Sequence, residues 1–69
     1  MPIYMNGLTG EVYENKKQAS SAHALKSIDI FVVTYYPDSQ RYYWWDTKAF
    51  YTVDEWYKII EDYVEVICN

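Results

Sequence analysis

Few side chains in this sequence have the types and spacing that catalysis or metal binding requires. His23 and Cys68 each occur once, and neither a metal-ligand spacing nor a glycine-rich phosphate loop is present. Ser20 and Ser21 precede His23 on one short predicted helix, too close in sequence for a nucleophile and base held by an orienting acid. We interpret His23 as an edge residue of the core and Cys68 as the filler of a packing gap. The sequence therefore predicts no enzymatic activity, no metal and no cofactor.

Aromatic surface is the chemistry that this sequence offers in excess. Fourteen of the 69 residues are Phe, Trp or Tyr, and at ~150–250 Å² per ring they would bury on the order of 2,800 Å². A chain this short shelters only about 60% of the surface that its unfolded form exposes. Some rings are therefore expected to stay outside and face a partner, because Tyr and Trp concentrate binding energy at interfaces.

The negative charge is concentrated in the last third of the chain. The net charge is −4, yet four acids balance four bases up to Trp45, whereas six acids face two bases from Asp46 onward. This end should repel nucleic acid and attract basic surfaces. The bases are scattered along the sequence rather than grouped, so direct nucleic-acid binding is not expected.

Composition also sets expectations for compartment and domain count. A single cysteine excludes the internal disulfides of small secreted domains. No apolar run approaches the roughly 20 residues of a membrane span, and the first residues lack the charged and apolar regions of a signal peptide. No linker, repeat or low-complexity tract divides the chain. We expect a cytoplasmic protein with no membrane partner, in which residues 1–69 form one domain.

Turn and capping signals predict a hairpin and a helix in the first part of the chain. Ile3–Met5 and Glu11–Glu14 flank a segment with two glycines, which is typical of a β-hairpin. Asn15 and Gln18 have the spacing of an N-cap with its reciprocal partner and predict a short helix over Lys16–Ser27. Its apolar stripe is thin and rich in alanine, which would let the helix sit close to a sheet.

A second hairpin is predicted from two β-rich runs, 28–36 and 41–45, with Pro37 at the second position of a type I turn between them. If this turn holds an even number of residues, Tyr36 lies opposite Arg41 and the numbers of every opposing pair sum to 77. With an odd-length turn, Tyr43 and Trp45 would lie on the same face as Phe31 and Tyr35, in place of Tyr42 and Trp44.

The end of the chain predicts an amphipathic helix. Thr52 and Glu55 form a capping box, and Tyr51 can pack on Trp56 as a hydrophobic staple. One apolar face follows helical spacing through Trp56, Ile59, Ile60, Tyr63, Val64 and Ile67. A turn and a short strand, 49–51, precede this helix. The order β-β-α-β-β-α predicts a single small two-layer α+β domain, an antiparallel sheet with the helices on one face.

Side-chain alternation in the second hairpin defines two faces of the predicted sheet. The Tyr43 face comprises Ile28, Ile30, Val32, Thr34, Tyr43 and Trp45, and the Tyr42 face comprises Asp29, Phe31, Val33, Tyr35, Tyr42, Trp44 and Asp46. We expect the helices to cover the Tyr43 face and the Tyr42 face to stay open. The alternative is a purely internal Tyr42 face, covered by the N-terminal segment.

Carboxylates form a row on the outer side of the last helix: Asp54, Glu55, Glu61, Asp62 and Glu65, with Lys58 placed to pair with Asp54. Such a row is either a solvated helix face or an imitation of nucleic-acid phosphates. Carboxylates on a helix lie ~5–6 Å apart, against a phosphate every ~3.4 Å of axis in a DNA strand. One helix would be a sparse copy, so Asp29, Asp46 and the rings would have to contribute.

We expect a protein-interaction module, most concretely a stoichiometric inhibitor or nucleic-acid mimic that blocks a basic, nucleic-acid-handling protein such as a restriction or CRISPR effector. Its predicted contact residues are Phe31, Tyr35, Tyr42, Trp44, Asp46, Asp54, Glu61, Asp62 and Glu65. Two alternatives use the same rings. They could stack the bases of single-stranded nucleic acid, or they could close a homodimer.

Overall fold

The computed structural model describes residues 1–25 and 27–68, with side chains for 1–24 and 29–65. Five antiparallel strands form one sheet in the order β2-β1-β3-β4-β5. The strands are β1 (Ile3–Asn6), β2 (Val12–Tyr13), β3 (Val32–Tyr36), β4 (Arg41–Trp44) and β5 (Ala49–Thr52). The helices are α1 (Lys16–Leu25) and α2 (Val53–Cys68), and a 3₁₀-helix spans Ser27–Phe31. The α+β class and the antiparallel sheet are confirmed.

The first hairpin and the start of α1 follow their local sequence signals. The side chain of Asn6 is buried, and its Oδ1 accepts hydrogen bonds from the amides of Leu8 and Thr9 at 2.9 and 3.0 Å. At the helix start, Asn15 Oδ1 accepts from the Gln18 amide at 2.9 Å, and Gln18 Oε1 accepts from the backbone just before the cap at 3.1 Å. The predicted reciprocal cap is confirmed.

The second hairpin has the predicted register. Tyr36 pairs with Arg41 and Val33 pairs with Trp44 across a four-residue loop, so the numbers of each opposing pair sum to 77. Since directly opposed side chains share a face, the division into a Tyr42 face and a Tyr43 face holds along β3 and β4. Pairing of β1 with β3 adds Tyr4 to the Tyr43 face, and pairing of β4 with β5 adds Phe50.

The strand predicted over 28–36 begins only at Val32, and the residues before it form the 3₁₀-helix. Their β propensity is overridden because no strand pairs with this segment: β1 ends opposite Val32 and β4 ends opposite Val33. Its carbonyls are bonded in other ways. The carbonyl of Phe31 accepts from the Gly7 amide at 2.7 Å, and that of Ile30 accepts from the indole Nε1 of Trp44.

Helix α2 begins with the predicted capping box. The Thr52 amide donates to Glu55 Oε1 at 3.0 Å, and the Glu55 amide donates to Thr52 Oγ1 at 3.2 Å. The rings of Tyr51 and Trp56 lie 6.2 Å apart, as the hydrophobic staple requires. Within the predicted apolar face, Trp56 is buried and Val64 is 43% exposed, while the side chain of Ile67 lies outside the described residues.

The two helices border opposite faces of the sheet, which corrects the expectation that both cover one face. Helix α2 packs on the Tyr42 face, where Phe31, Val33, Tyr42 and Trp56 form the buried core. Helix α1 lies beside the Tyr43 face, with the His23 ring 6.2 Å from the Trp45 ring. The alanine-rich side of α1 permits this close approach, and Ala19 is fully buried.

Candidate interaction surfaces

The Tyr42 face is the core of the protein, so the prediction that it stays open is wrong. Phe31 is 2% and Tyr42 8% exposed, and Tyr35 and Trp44 are half-buried against the same cluster. Trp56 covers this face: its ring stacks on Tyr42 at 5.6 Å and meets Trp44 edge-on at 5.1 Å. The aromatic residues that sequence reasoning assigned to a partner therefore attach α2 to the sheet.

Gly7 makes this coverage possible, a role that sequence reasoning missed because it assigned the glycine only to a turn. The indole Nε1 of Trp56 donates a hydrogen bond to the Gly7 carbonyl at 3.2 Å. A Cβ atom at position 7 would lie 2.3 Å from Cζ2 of the Trp56 ring. Any larger residue would therefore push the indole, and α2 with it, away from the sheet.

The Tyr43 face carries one exposed aromatic ring, that of Phe50, beside half-buried ones. Next to α1, Thr34 is buried under Trp45, whose Nε1 donates to Thr34 Oγ1 at 2.7 Å, and Tyr4 lies 6.2 Å from the same indole. Away from α1, Phe50 is 57% exposed, and its ring lies 4.9 Å from that of Tyr43. Of the fourteen aromatic side chains, Phe50 on this face and Tyr57 on α2 are exposed, so less ring surface stays in solvent than composition suggested, and none of it lies on the predicted face.

A cavity of about 330 Å³ opens on the Tyr43 face between these two regions. It is lined by Tyr4, Lys16, Thr34, Tyr36, Tyr43, Trp45 and Lys48. Its two charged residues are both lysines, one from the first turn of α1 and one from the turn between β4 and β5. Sequence reasoning missed this site because the lysines are far apart along the chain. The only available signal was the hairpin register, which places Tyr36, Tyr43 and Trp45 on one face.

The predicted acidic residues of α2 share the outer surface of the molecule. Asp54, Glu55, Glu61, Asp62 and Glu65 are all exposed. Two apolar side chains of the same helix are also in solvent, Tyr57 at 61% and Val64 at 43% exposure. Within the described side chains, the expected Asp54–Lys58 pair is not formed, and the one ion pair joins the Met1 amine to Asp38 at 3.9 Å. We define this set of carboxylates with Tyr57 and Val64 as the α2 surface.

The remaining predicted residues are divided between solvent and core. Asp46 is exposed in the turn between β4 and β5. Asp29, which was expected to help imitate phosphates, is only 7% exposed, and its carbonyl contacts Nδ1 of the half-buried His23 at 3.0 Å. The side chain of Cys68 lies outside the described residues.

Hydrogen bonding and burial shift the pKa values of three side chains, Glu55, Tyr42 and Tyr13. Hydrogen bonds from the Thr52 amide and hydroxyl lower the pKa of Glu55, so its carboxylate stays charged at the start of α2. Burial raises the pKa of the Tyr42 phenol, which is consistent with its position beneath the indole of Trp56. Burial also raises the pKa of Tyr13 on β2.

In comparisons with protein families, with curated proteins and with solved structures, the chain matches none of them. Neither α1 nor α2 has, over its described part, the length and apolar character needed to cross a bilayer. Any functional assignment therefore depends on the two surfaces described above.

Proposed function

We propose that this chain is a protein-interaction module that binds a basic surface of another protein through the α2 surface. The observation that carries this proposal is the exposure of Tyr57 and Val64, at 61% and 43%, on the helix that carries the exposed carboxylates. By helical spacing Tyr57 is flanked by Asp54 and Glu61, and an exposed ring beside charged groups has the composition of an interface core next to a polar rim.

The electrostatics of α2 favour a basic partner. Its carboxylates are exposed, and no ion pair with a described side chain neutralises them. The helix contains one base, Lys58, against five acids. A surface of one sign attracts the opposite charge over about 8 Å at physiological ionic strength, so binding should be fast and salt-sensitive.

The specific form that we propose is a stoichiometric inhibitor that occupies the phosphate-binding surface of a restriction or CRISPR effector. Helical carboxylates at ~5–6 Å spacing are too sparse to reproduce a phosphate backbone by charge alone. Tyr57 and Val64 would add apolar contact area, and the exposed carboxylate of Asp46 would add charge beyond the helix. The buried Phe31 and Tyr42, with the half-buried Tyr35 and Trp44, would act indirectly by holding α2 in place.

Charge reversal on α2 tests this function. We expect the triple variant Glu61→Lys, Asp62→Lys, Glu65→Lys to abolish binding to purified restriction or CRISPR effector nucleases, because it replaces attraction by repulsion. Tyr57→Ala should weaken binding at least about tenfold, as expected for a hot-spot ring. Biolayer interferometry over a range of salt concentrations measures both effects, and nuclease assays report inhibition.

The matched control reverses three exposed carboxylates outside α2: Glu11→Lys, Glu14→Lys, Asp38→Lys. This variant has the same net charge as the α2 variant and should keep its binding. Equal losses in the two variants would mean that only net charge matters, and binding that is insensitive to salt would contradict the proposal. Light scattering across concentration separates a homodimer, the structural alternative, from a free monomer.

A further inference from the structure

The cavity on the Tyr43 face combines two kinds of groups that one ligand class uses together. Its walls carry the rings of Tyr36, Tyr43 and Trp45, and its charged groups are the ammonium groups of Lys16 and Lys48. No carboxylate is among the described residues that line it. A ligand that matches these groups has a flat aromatic part and a negative charge.

We propose that this cavity binds a nucleotide unit of single-stranded nucleic acid, with the base against the tyrosine rings and the phosphate at Lys16 and Lys48. Proteins that bind single strands combine aromatic side chains, on which bases stack, with basic groups that follow the backbone. A volume of about 330 Å³ lies within the range of small-molecule sites. This site is separate from the α2 surface, so neither proposal depends on the other.

The surface next to the cavity extends the stacking platform. The Phe50 ring lies 4.9 Å from Tyr43 and 6.0 Å from Tyr36, and Phe50 is 57% exposed. These residues come from the neighbouring strands β3, β4 and β5, and the Phe50 ring contacts the other two, so the three rings form a cluster beside the cavity. The cluster offers ring surface for a second base next to the one in the cavity.

The fold reduces the electrostatic objection raised by the sequence. Lysines that are scattered along the chain meet at this cavity because α1 lies beside the Tyr43 face and the turn after β4 reaches the same region. The carboxylates of α2 belong to the opposite side, with the sheet between them and the cavity. At physiological ionic strength, screening over about 8 Å limits their effect on a phosphate bound there.

Fluorescence anisotropy with labelled oligothymidylate and oligoadenylate of about 12 nucleotides tests the proposal. For two phosphate contacts, log K should fall with log salt at a slope of about −1.4 between about 50 and about 200 mM, and Lys16→Gln should reduce this slope by about 0.7. Tyr43→Leu, which keeps apolar bulk but removes the stacking ring, should weaken binding about tenfold. Competition with adenosine monophosphate shows whether one nucleotide is sufficient.

The matched control lies on α2. Lys58→Gln removes the same charge from an exposed helical position, so it should leave binding unchanged. Thermal melts of every variant identify losses that come from unfolding. Weaker binding in Lys16→Gln and Tyr43→Leu alone supports the proposal, whether or not the mononucleotide competes. It is overturned by the absence of binding at low salt, by equal effects of Lys16→Gln and Lys58→Gln, or by binding of a polyglutamate peptide but not of the oligonucleotides.

Discussion

At the scale of single residues, the contact between Gly7 and Trp56 has the largest structural consequence. The Gly7 backbone forms two hydrogen bonds. Its amide donates to the Phe31 carbonyl at 2.7 Å, and its carbonyl accepts from the Trp56 indole at 3.2 Å. The first hairpin, the 3₁₀-helix and α2 therefore meet at a residue with no side chain. Trp56 can lie flat on this backbone only because no Cβ is present.

We predict that Gly7→Ala lowers the free energy of unfolding by about 1–3 kcal/mol, the usual penalty for overpacking. The added Cβ would lie 2.3 Å from the indole. In a Trp56→Phe background, which lacks the clashing ring atoms, the same substitution should be less destabilising. Urea denaturation of the four proteins in this double-mutant cycle gives the coupling energy, and additive effects would contradict the contact.

Gly10→Ala serves as the control. No atom lies within 4 Å of the position that its Cβ would take, but its φ of +79° strains any other residue. It should therefore be destabilising by about 1 kcal/mol in either background, with no dependence on Trp56.

At the scale of elements, the capping box at the start of α2 links stability to pH. Glu55 has a pKa lowered below its usual 4.5 by hydrogen bonds with Thr52. A carboxylate whose pKa is depressed by folding contributes stability that is fully present above its unfolded pKa and is lost as the pH falls through the folded value. Acid should therefore weaken the start of α2 specifically.

We predict that Glu55→Gln has a lower melting temperature than the parent at neutral pH and that the difference disappears as the pH falls below about 4.5. Melts followed by circular dichroism across this pH range provide the measurement. Glu65→Gln is the control near the other end of the helix, where a negative charge opposes the helix dipole, so it should be neutral or stabilising at neutral pH. A pH-independent difference for Glu55→Gln would show that its charge has no role in capping.

At the scale of the whole molecule, the sheet separates two surfaces of different chemistry. Helix α2 closes one face and presents carboxylates with Tyr57 and Val64, whereas the other face keeps aromatic rings and two lysines around a cavity. Both proposed activities follow from this separation. A single globule can then offer an acidic surface to a protein and an aromatic, basic one to a nucleotide.

The two phenylalanines of the chain test which face is the core. Phe31 is 2% exposed beneath α2, and Phe50 is 57% exposed on the Tyr43 face. We predict that Phe31→Ala lowers the free energy of unfolding by about 3–5 kcal/mol, which would leave a domain of this size largely unfolded. Phe50→Ala should cost less than about 1 kcal/mol, because the removed ring is mostly in water. Urea denaturation distinguishes the two, and similar losses would contradict the assignment of faces.

Local signals in the sequence were sufficient for the elements and for the pairing of the central hairpin. The caps at Asn15 and Thr52 involve groups three residues apart, so the sequence alone contains both partners of each hydrogen bond. The register of β3 and β4 follows from the length of one turn. The caps and the register need no information about distant parts of the chain. The register correctly divided the rings of the hairpin between the Tyr42 face and the Tyr43 face.

Only the tertiary structure decided which of the two faces α2 covers. Both faces are rich in aromatic residues, so hydrophobicity does not distinguish them. The deciding contact joins Gly7 to Trp56 across 49 positions, and the cavity likewise brings Lys16 and Lys48 together from distant segments. The sequence by itself determined most of the elements and the register of the central hairpin, because those depend on neighbours along the chain. The choice of buried face and the composition of each exposed surface depend on packing between segments that only the folded chain brings into contact.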